Sequence, residues 1–154
     1  NFIGYIEGWG EPYNYYVSEL NKLDYVWGVH HLPHDGTHVR QGEIHNISPV
    51  QALTNLGLKN FEVIPRVAEI SHGIQATRDS FSTCWFDAEK CKAGIVHLDS
   101  YRKKWNNTTS RFMDTPVHDI HSECADAFRQ FGQFNGSGGL DTETFERINF
   151  ASEW

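Results

Sequence analysis

The chain has 154 residues, 39% hydrophobic and 21% charged, with five Trp, six Tyr and ten Phe. That length and aromatic supply suit one folded domain with a sizeable core and exclude a disordered segment. The formal net charge of −7 argues against a module that coats nucleic acid through its backbone alone. It argues less against a metal-dependent nuclease, whose ligands are acidic.

In chain order, Phe2 to Glu7 is rich in aromatic and β-branched residues and predicts a strand. Gly8 to Pro12 predicts a turn, with Pro12 suited to the start of a helix over Tyr13–Leu23. Tyr25 to Leu32 predicts a second strand that stops at Pro33. A polar loop follows from Thr37 to Ile47. Ser48 is placed as N-cap and Pro49 as first residue of a helix to Leu56, closed by Gly57.

Phe61–Pro65 predicts a short strand. Ile70, Ile74, Thr77 and Phe81 share one face of a helix expected over 69–81. Cys84–Phe86 predicts a strand, and Asp87 caps a helix expected to run to Trp105. Residues 106–116 predict a polar connection and 119–131 a helix, with Asp119 as its N-cap. Gly132 to Gly139 reads as a glycine-rich tail, followed at 141–150 by a short helix or disorder. Strands alternating with helices give an α/β domain over 1–134, with a flexible tail over 135–154.

The three cysteines, Cys84, Cys91 and Cys124, form no CxxC pair, and their odd number reads as reduced thiols. No apolar run approaches the length of a membrane span, so no membrane partner is expected. No GxxxxGK[ST] motif is present, so no P-loop is expected here.

Two segments carry carboxylates at the ends of predicted elements. Asp35 follows the strand that ends at Leu32, the place where ligands gather in α/β sheets. An Asp-Gly pair is equally a common turn. Glu123 and Asp126 stand i, i+3 on one helix and can reach one ion, or lie on a solvated face. Small neighbours, Ala125 and Ala127, predict close packing of that helix on the sheet, which would turn Asp126 inward. Glu7 is a weaker candidate at the end of the first strand. Phosphodiester hydrolysis by two ions needs carboxylates of this kind, and Mg²⁺ and Mn²⁺ take oxygen ligands.

The histidines near residue 30 invite a zinc reading. His30 and His31 are adjacent in a predicted strand and face opposite ways, which disfavours it. His34 or His118 would instead support a carboxylate. Arg66, Arg78, Arg102, Lys103, Lys104, Arg111 and Arg129 are candidate phosphate contacts. The run Arg102-Lys103-Lys104 also reads as a solvated helix end.

Taken together and in order, YIEGWGEPYNYYVSEL, VWGVHHLPHDG, FEVIPR, ISHGIQATR, CWFDAEKC, LDSYRKKW and PVHDIHSECADAFRQ resemble the C-terminal nuclease domain of the large terminase subunit of tailed bacteriophages. The resemblance runs to about Gln133. It implies a ribonuclease H-like fold, with a mixed central sheet flanked by helices. It implies endonucleolytic cutting of concatemeric double-stranded viral DNA with two Mg²⁺ or Mn²⁺ ions. Asp35 and Asp126 match the family's metal-binding aspartates, and Glu123 stands where many relatives carry His. Implied partners are the ATPase domain of the same subunit, the small terminase subunit and the portal protein, in the cytoplasm of an infected bacterium.

The family's first catalytic aspartate lies on a strand before Tyr5-Ile6-Glu7-Gly8. The chain opens at Asn1 without Met, so the expectation is a segment of a longer protein with weak or no cutting by itself. Rival expectations are a docking domain for portal or capsid proteins, and another ribonuclease H-like nuclease such as a resolvase or transposase core. A zinc hydrolase built on the histidines is a further rival.

Overall fold

A computed structural model describes residues 1–39, 46–66 and 69–136. The expected helix at 141–150 and most of the expected tail lie outside the described residues, as does part of the loop over 37–47. The described residues are mixed α/β: five α-helices, one short 3₁₀ turn and two two-stranded ladders. They fall into two compact units. One comprises Phe2–Arg66 with Phe86–Ala93; the other is built from Val67–Trp85 and from Gly94 onward, together with Asn1.

In the first unit, α1 (Tyr13–Asn21) leads to β1 (His30–Leu32), α2 (Pro49–Asn55) and β2 (Phe61–Val63). β1 and β2 run parallel, pairing His30 with Phe61 and Leu32 with Val63, so the segment is a β-α-β unit. α2 starts where the sequence places it. Ser48 Oγ accepts from Gln51 N at 3.3 Å, Gln51 Oε1 accepts from Ser48 N at 2.9 Å, and Pro49 fills the first position. Gly57, at φ +101°, ends it in a backbone region that disfavours a side chain.

Val17, Leu53 and Leu58 form the core here, with Leu20, Leu32 and Phe61 packed against them. Segment 86–93 joins through Phe2. The Phe2 and Phe86 rings stack at 4.6 Å beside a parallel backbone bridge, and Cys91 Sγ lies 3.4 Å from Phe2 O. Asp87 caps a turn, accepting from the N–H groups of Glu89 and Lys90.

Several predicted strands shrink. Phe2–Glu7 and Cys84–Phe86 contribute only that single bridge, and 25–32 forms a ladder only at His30–Leu32. Val26 is fully exposed and Val29 largely so, so β-propensity there is not matched by burial. The expected single mixed sheet is, among the described strands, two separate ladders.

The second unit holds α3 (Ile70–Ser80), α4 (Lys92–Ser100, shared at its start with the first unit), the hairpin β3 (Lys103–Asn106) and β4 (Arg111–Pro116), and α5 (Ile120–Gly136). The helix expected to reach Trp105 stops at Ser100, and Arg102-Lys103-Lys104 enters the hairpin instead of capping a helix. The connection expected over 106–116 contains β4, because Trp105 and Phe112 pair across the ladder with ring centroids 4.9 Å apart. Asn106 Oδ1 accepts from Thr108 N and Thr109 N, and Ser110 takes φ +49°, which folds the hairpin end.

Asp119 caps α5 as expected, accepting from His121 N at 2.9 Å. The helix continues through Gly132, although glycine-rich composition there predicts a flexible tail. α5 packs on α3 with Gly73 and Gly132 at the contact; a Cβ on Gly132 would fall 2.6 Å from Thr77 Cα. Cys124, Ala125 and Phe128 are buried along α5.

Candidate functional site

Asp35 belongs to the first unit and lies in the turn just past β1. Gly36 N donates to Pro33 O at 2.8 Å and His38 N to Asp35 O at 2.9 Å. Val50 N at the start of α2 donates to Gly36 O at 2.9 Å, tying the turn to the helix. Gly36 is buried, and a Cβ there would meet Leu32 Cβ at 2.9 Å, so glycine is needed for this close return. Asp35 is thus a turn residue, half-buried just past the carboxyl end of a parallel strand. His34 and His38 flank it with ring centroids 6.2 Å apart.

Behind it, His30 and His31 diverge as strand alternation requires. His30 is half-buried between Trp27 and Phe61, and burial, helped by the neighbouring His31, lowers its pKa below the ordinary 6.5. His31 faces Glu62 at 3.8 Å on the exposed side.

Glu123 and Asp126 belong to the second unit. Glu123 is exposed in the first turn of α5, where an acidic residue suits the helix dipole. Asp126 is not turned inward against a sheet, because α5 packs on α3. Its side chain is 45% exposed, and its Oδ1 accepts from Arg129 Nε at 3.2 Å and Arg129 Nη2 at 3.0 Å. The Arg129 side chain is only 15% exposed, so this pair holds a largely buried guanidinium in place.

Tyr101 stands near the same groups. Burial raises its phenol pKa, Asp126 adds to the rise, and Arg129 and Arg78 oppose it. Nothing in the local sequence marks Tyr101, which sits in the link between α4 and β3; only its neighbours in space do.

Three histidines of this unit pair with each other or with the α5 cap. His97 and His121 place their Nδ1 atoms 2.9 Å apart, one carrying the shared hydrogen, and Ser122 Oγ lies 3.0 Å from His118 Nδ1. Among the described residues no three His, Cys, Asp or Glu side chains come together as a metal-holding group. The metal expectation therefore rests on the carboxylates singly. Asp35 stands just past a strand end, and Asp126 pairs with Arg129.

Comparison with family models, with curated proteins and with solved structures gave no match. No helix of the described residues is long and apolar enough to cross a membrane.

A second feature is a cavity of about 500 Å³ at the foot of the hairpin, with the charged residues Arg78, Arg102, Lys103, Glu69 and Asp114 and also Tyr101 in its wall. Lys103 Nζ reaches Asp114 Oδ1 at 3.1 Å, and Arg102 reaches Asp119 Oδ2 at 3.3 Å. Three of the cations expected to meet phosphate thus share one recess, brought there by the hairpin and α3.

Proposed function

We propose that the chain is a metal-dependent endonuclease domain of the ribonuclease H type, of the kind that cuts concatemeric DNA during packaging by tailed bacteriophages. The observation that carries the reading is the position of Asp35 at the carboxyl end of β1 in a parallel β-α-β unit. The ordered segments that resemble the terminase nuclease family add to it. Asp35 would hold Mg²⁺ or Mn²⁺ in the first unit; Glu123 and Asp126, the other expected ligands, would hold an ion on α5 of the second unit. When bound, such ions supply an activated water and stabilise the leaving oxygen of a phosphodiester. The chain's own part is to hold Asp35 rigid, which the Gly36 return and the Val50 bond do.

The test is Mn²⁺ binding, followed by water-proton relaxation, with nicking of supercoiled plasmid in parallel. Wild-type chain binds Mn²⁺, with nicking weak or absent for the chain by itself; Asp35→Ala loses the binding and any nicking. Absence of Mn²⁺ binding, or binding and nicking unchanged by Asp35→Ala, overturns the reading. A chain that binds no metal would favour the docking-domain alternative.

A further inference from the structure

The cavity at the foot of the hairpin has a neighbour. A smaller recess of about 180 Å³ shares Ile74, Arg78 and Tyr101 with it, and its remaining wall is mostly apolar, including Phe81, Leu98 and Phe128. The Phe81 and Phe128 rings stand 5.1 Å apart, centroid to centroid. An apolar recess with aromatic walls beside a recess with cations has two different ends to offer one ligand.

The cations are not equivalent. Lys103 and Arg102 already pair with Asp114 and Asp119. Arg78, common to both recesses, makes no ion pair or side-chain hydrogen bond among the described residues. It is an exposed guanidinium on α3 that remains available to an anion, and a guanidinium suits phosphate by its fork of donors. The carboxylates of Glu69 and Asp114, on the polar side, can accept from hydroxyl or amino groups.

We infer that the two recesses form one site for a nucleoside monophosphate. The phosphate lies at Arg78, with Arg102 and Lys103 beyond it. The base enters the recess walled by Phe81 and Phe128. Sugar hydroxyls donate to Glu69 or Asp114. Tyr101, in the wall of both recesses, offers its phenol O–H as a donor to the phosphate. The combined space is in the range that holds a ligand of this size. Arg129, the partner of Asp126, also walls the smaller recess, whereas Asp35 belongs to the other unit, so the site does not rest on the Asp35 reading.

The experiment is titration of the full chain with AMP in the presence of EDTA, followed by saturation-transfer NMR on the base protons and by calorimetry. AMP binds; adenosine alone and inorganic phosphate alone each bind about tenfold more weakly or worse, because each fills one recess only. Arg78→Leu weakens AMP by about tenfold, the loss of a charged hydrogen bond, and Arg78→Lys keeps part of the affinity. Circular dichroism of both variants checks that α3 is retained. No AMP binding by the wild type overturns the inference. So does equal binding of adenosine and AMP, or AMP binding that Arg78→Leu leaves unchanged. Because EDTA removes divalent ions, failure here is distinct from failure of Mn²⁺ binding at Asp35.

Discussion

Gly132 of α5 lies directly against Thr77 of α3, so closely that a Cβ would come within 2.6 Å of Thr77 Cα and 2.8 Å of its N. Thr77 is itself buried, its hydroxyl donating to Gly73 O at 2.7 Å. Two helices meet backbone to backbone here, and the absent side chain makes the approach possible.

Gly132→Ala therefore opposes two effects. Alanine is the better helix former by about 1 kcal/mol. Overpacking against immovable backbone costs about 1–3 kcal/mol. Net destabilisation in urea unfolding is expected; a more stable variant would show that α3 and α5 move apart at little cost.

Ser48 starts α2 through a reciprocal pair of bonds with Gln51. Ser48→Ala should cost about 1 kcal/mol, with Gln51→Ala costing less. Chemical denaturation of both variants and of the double variant measures it. Each change removes one bond and leaves the other, which runs from a backbone N–H, so the double variant should lose about the sum; no loss in Ser48→Ala would contradict the cap.

His30 gives the first unit a defined pH response. Its folded pKa is lowered, first by burial and then by the charge of His31. The unfolded chain therefore binds more protons below about pH 6.5, where a free His titrates. Stability is complete above that pH and is lost as pH falls through the lowered folded pKa. His30→Phe keeps a ring against Trp27 and Phe61 and should flatten this part of the stability profile. An unchanged slope would assign the response to other groups.

Asp126 also has a structural role that can be separated from metal binding. Asp126→Ala removes the carboxylate from a largely buried Arg129 and should destabilise the chain by about 1 kcal/mol, discounted for its half-exposed setting. This loss appears in thermal unfolding with EDTA present. If stability is unchanged without metal, Arg129 finds another partner and the pair is not structural.

The three thiols should react in order of access. Cys84 is half-exposed, whereas Cys91 and Cys124 are buried. A thiol reagent should label Cys84 first under native conditions and the other two only on unfolding. Fast native labelling of Cys124 would contradict the packing of α5 near Gly94, whose carbonyl lies 3.5 Å from Cys124 Sγ.

Local chemistry is legible in the chain itself. The Ser48 cap, the Gly57 stop and the Asp119 cap depend on residues within one turn of each other, so their order along the chain is enough. The Asp126–Arg129 pair has i, i+3 spacing, yet the sequence marks Asp126 as an inward ligand and Arg129 as a phosphate contact, and the pairing shows only once α5 packs on α3. The hairpin is less visible. Its strands are almost wholly exposed and carry Lys103, Lys104 and Arg111 with little alternation, so periodicity has nothing to register.

Residue order alone settles the mixed α/β class, the helix starts and stops just named, the strand-end position of Asp35 and the divergence of His30 from His31. These follow from backbone stereochemistry and nearest neighbours. Long-range packing settles the rest: α5 lies on a helix and runs through Gly132, and Asp126 answers to Arg129 in that packing. The same packing brings Arg78, Tyr101 and Lys103 around one recess. Such placements depend on which surfaces meet across long sequence separations, and burial there outweighs the weak local preferences that composition records.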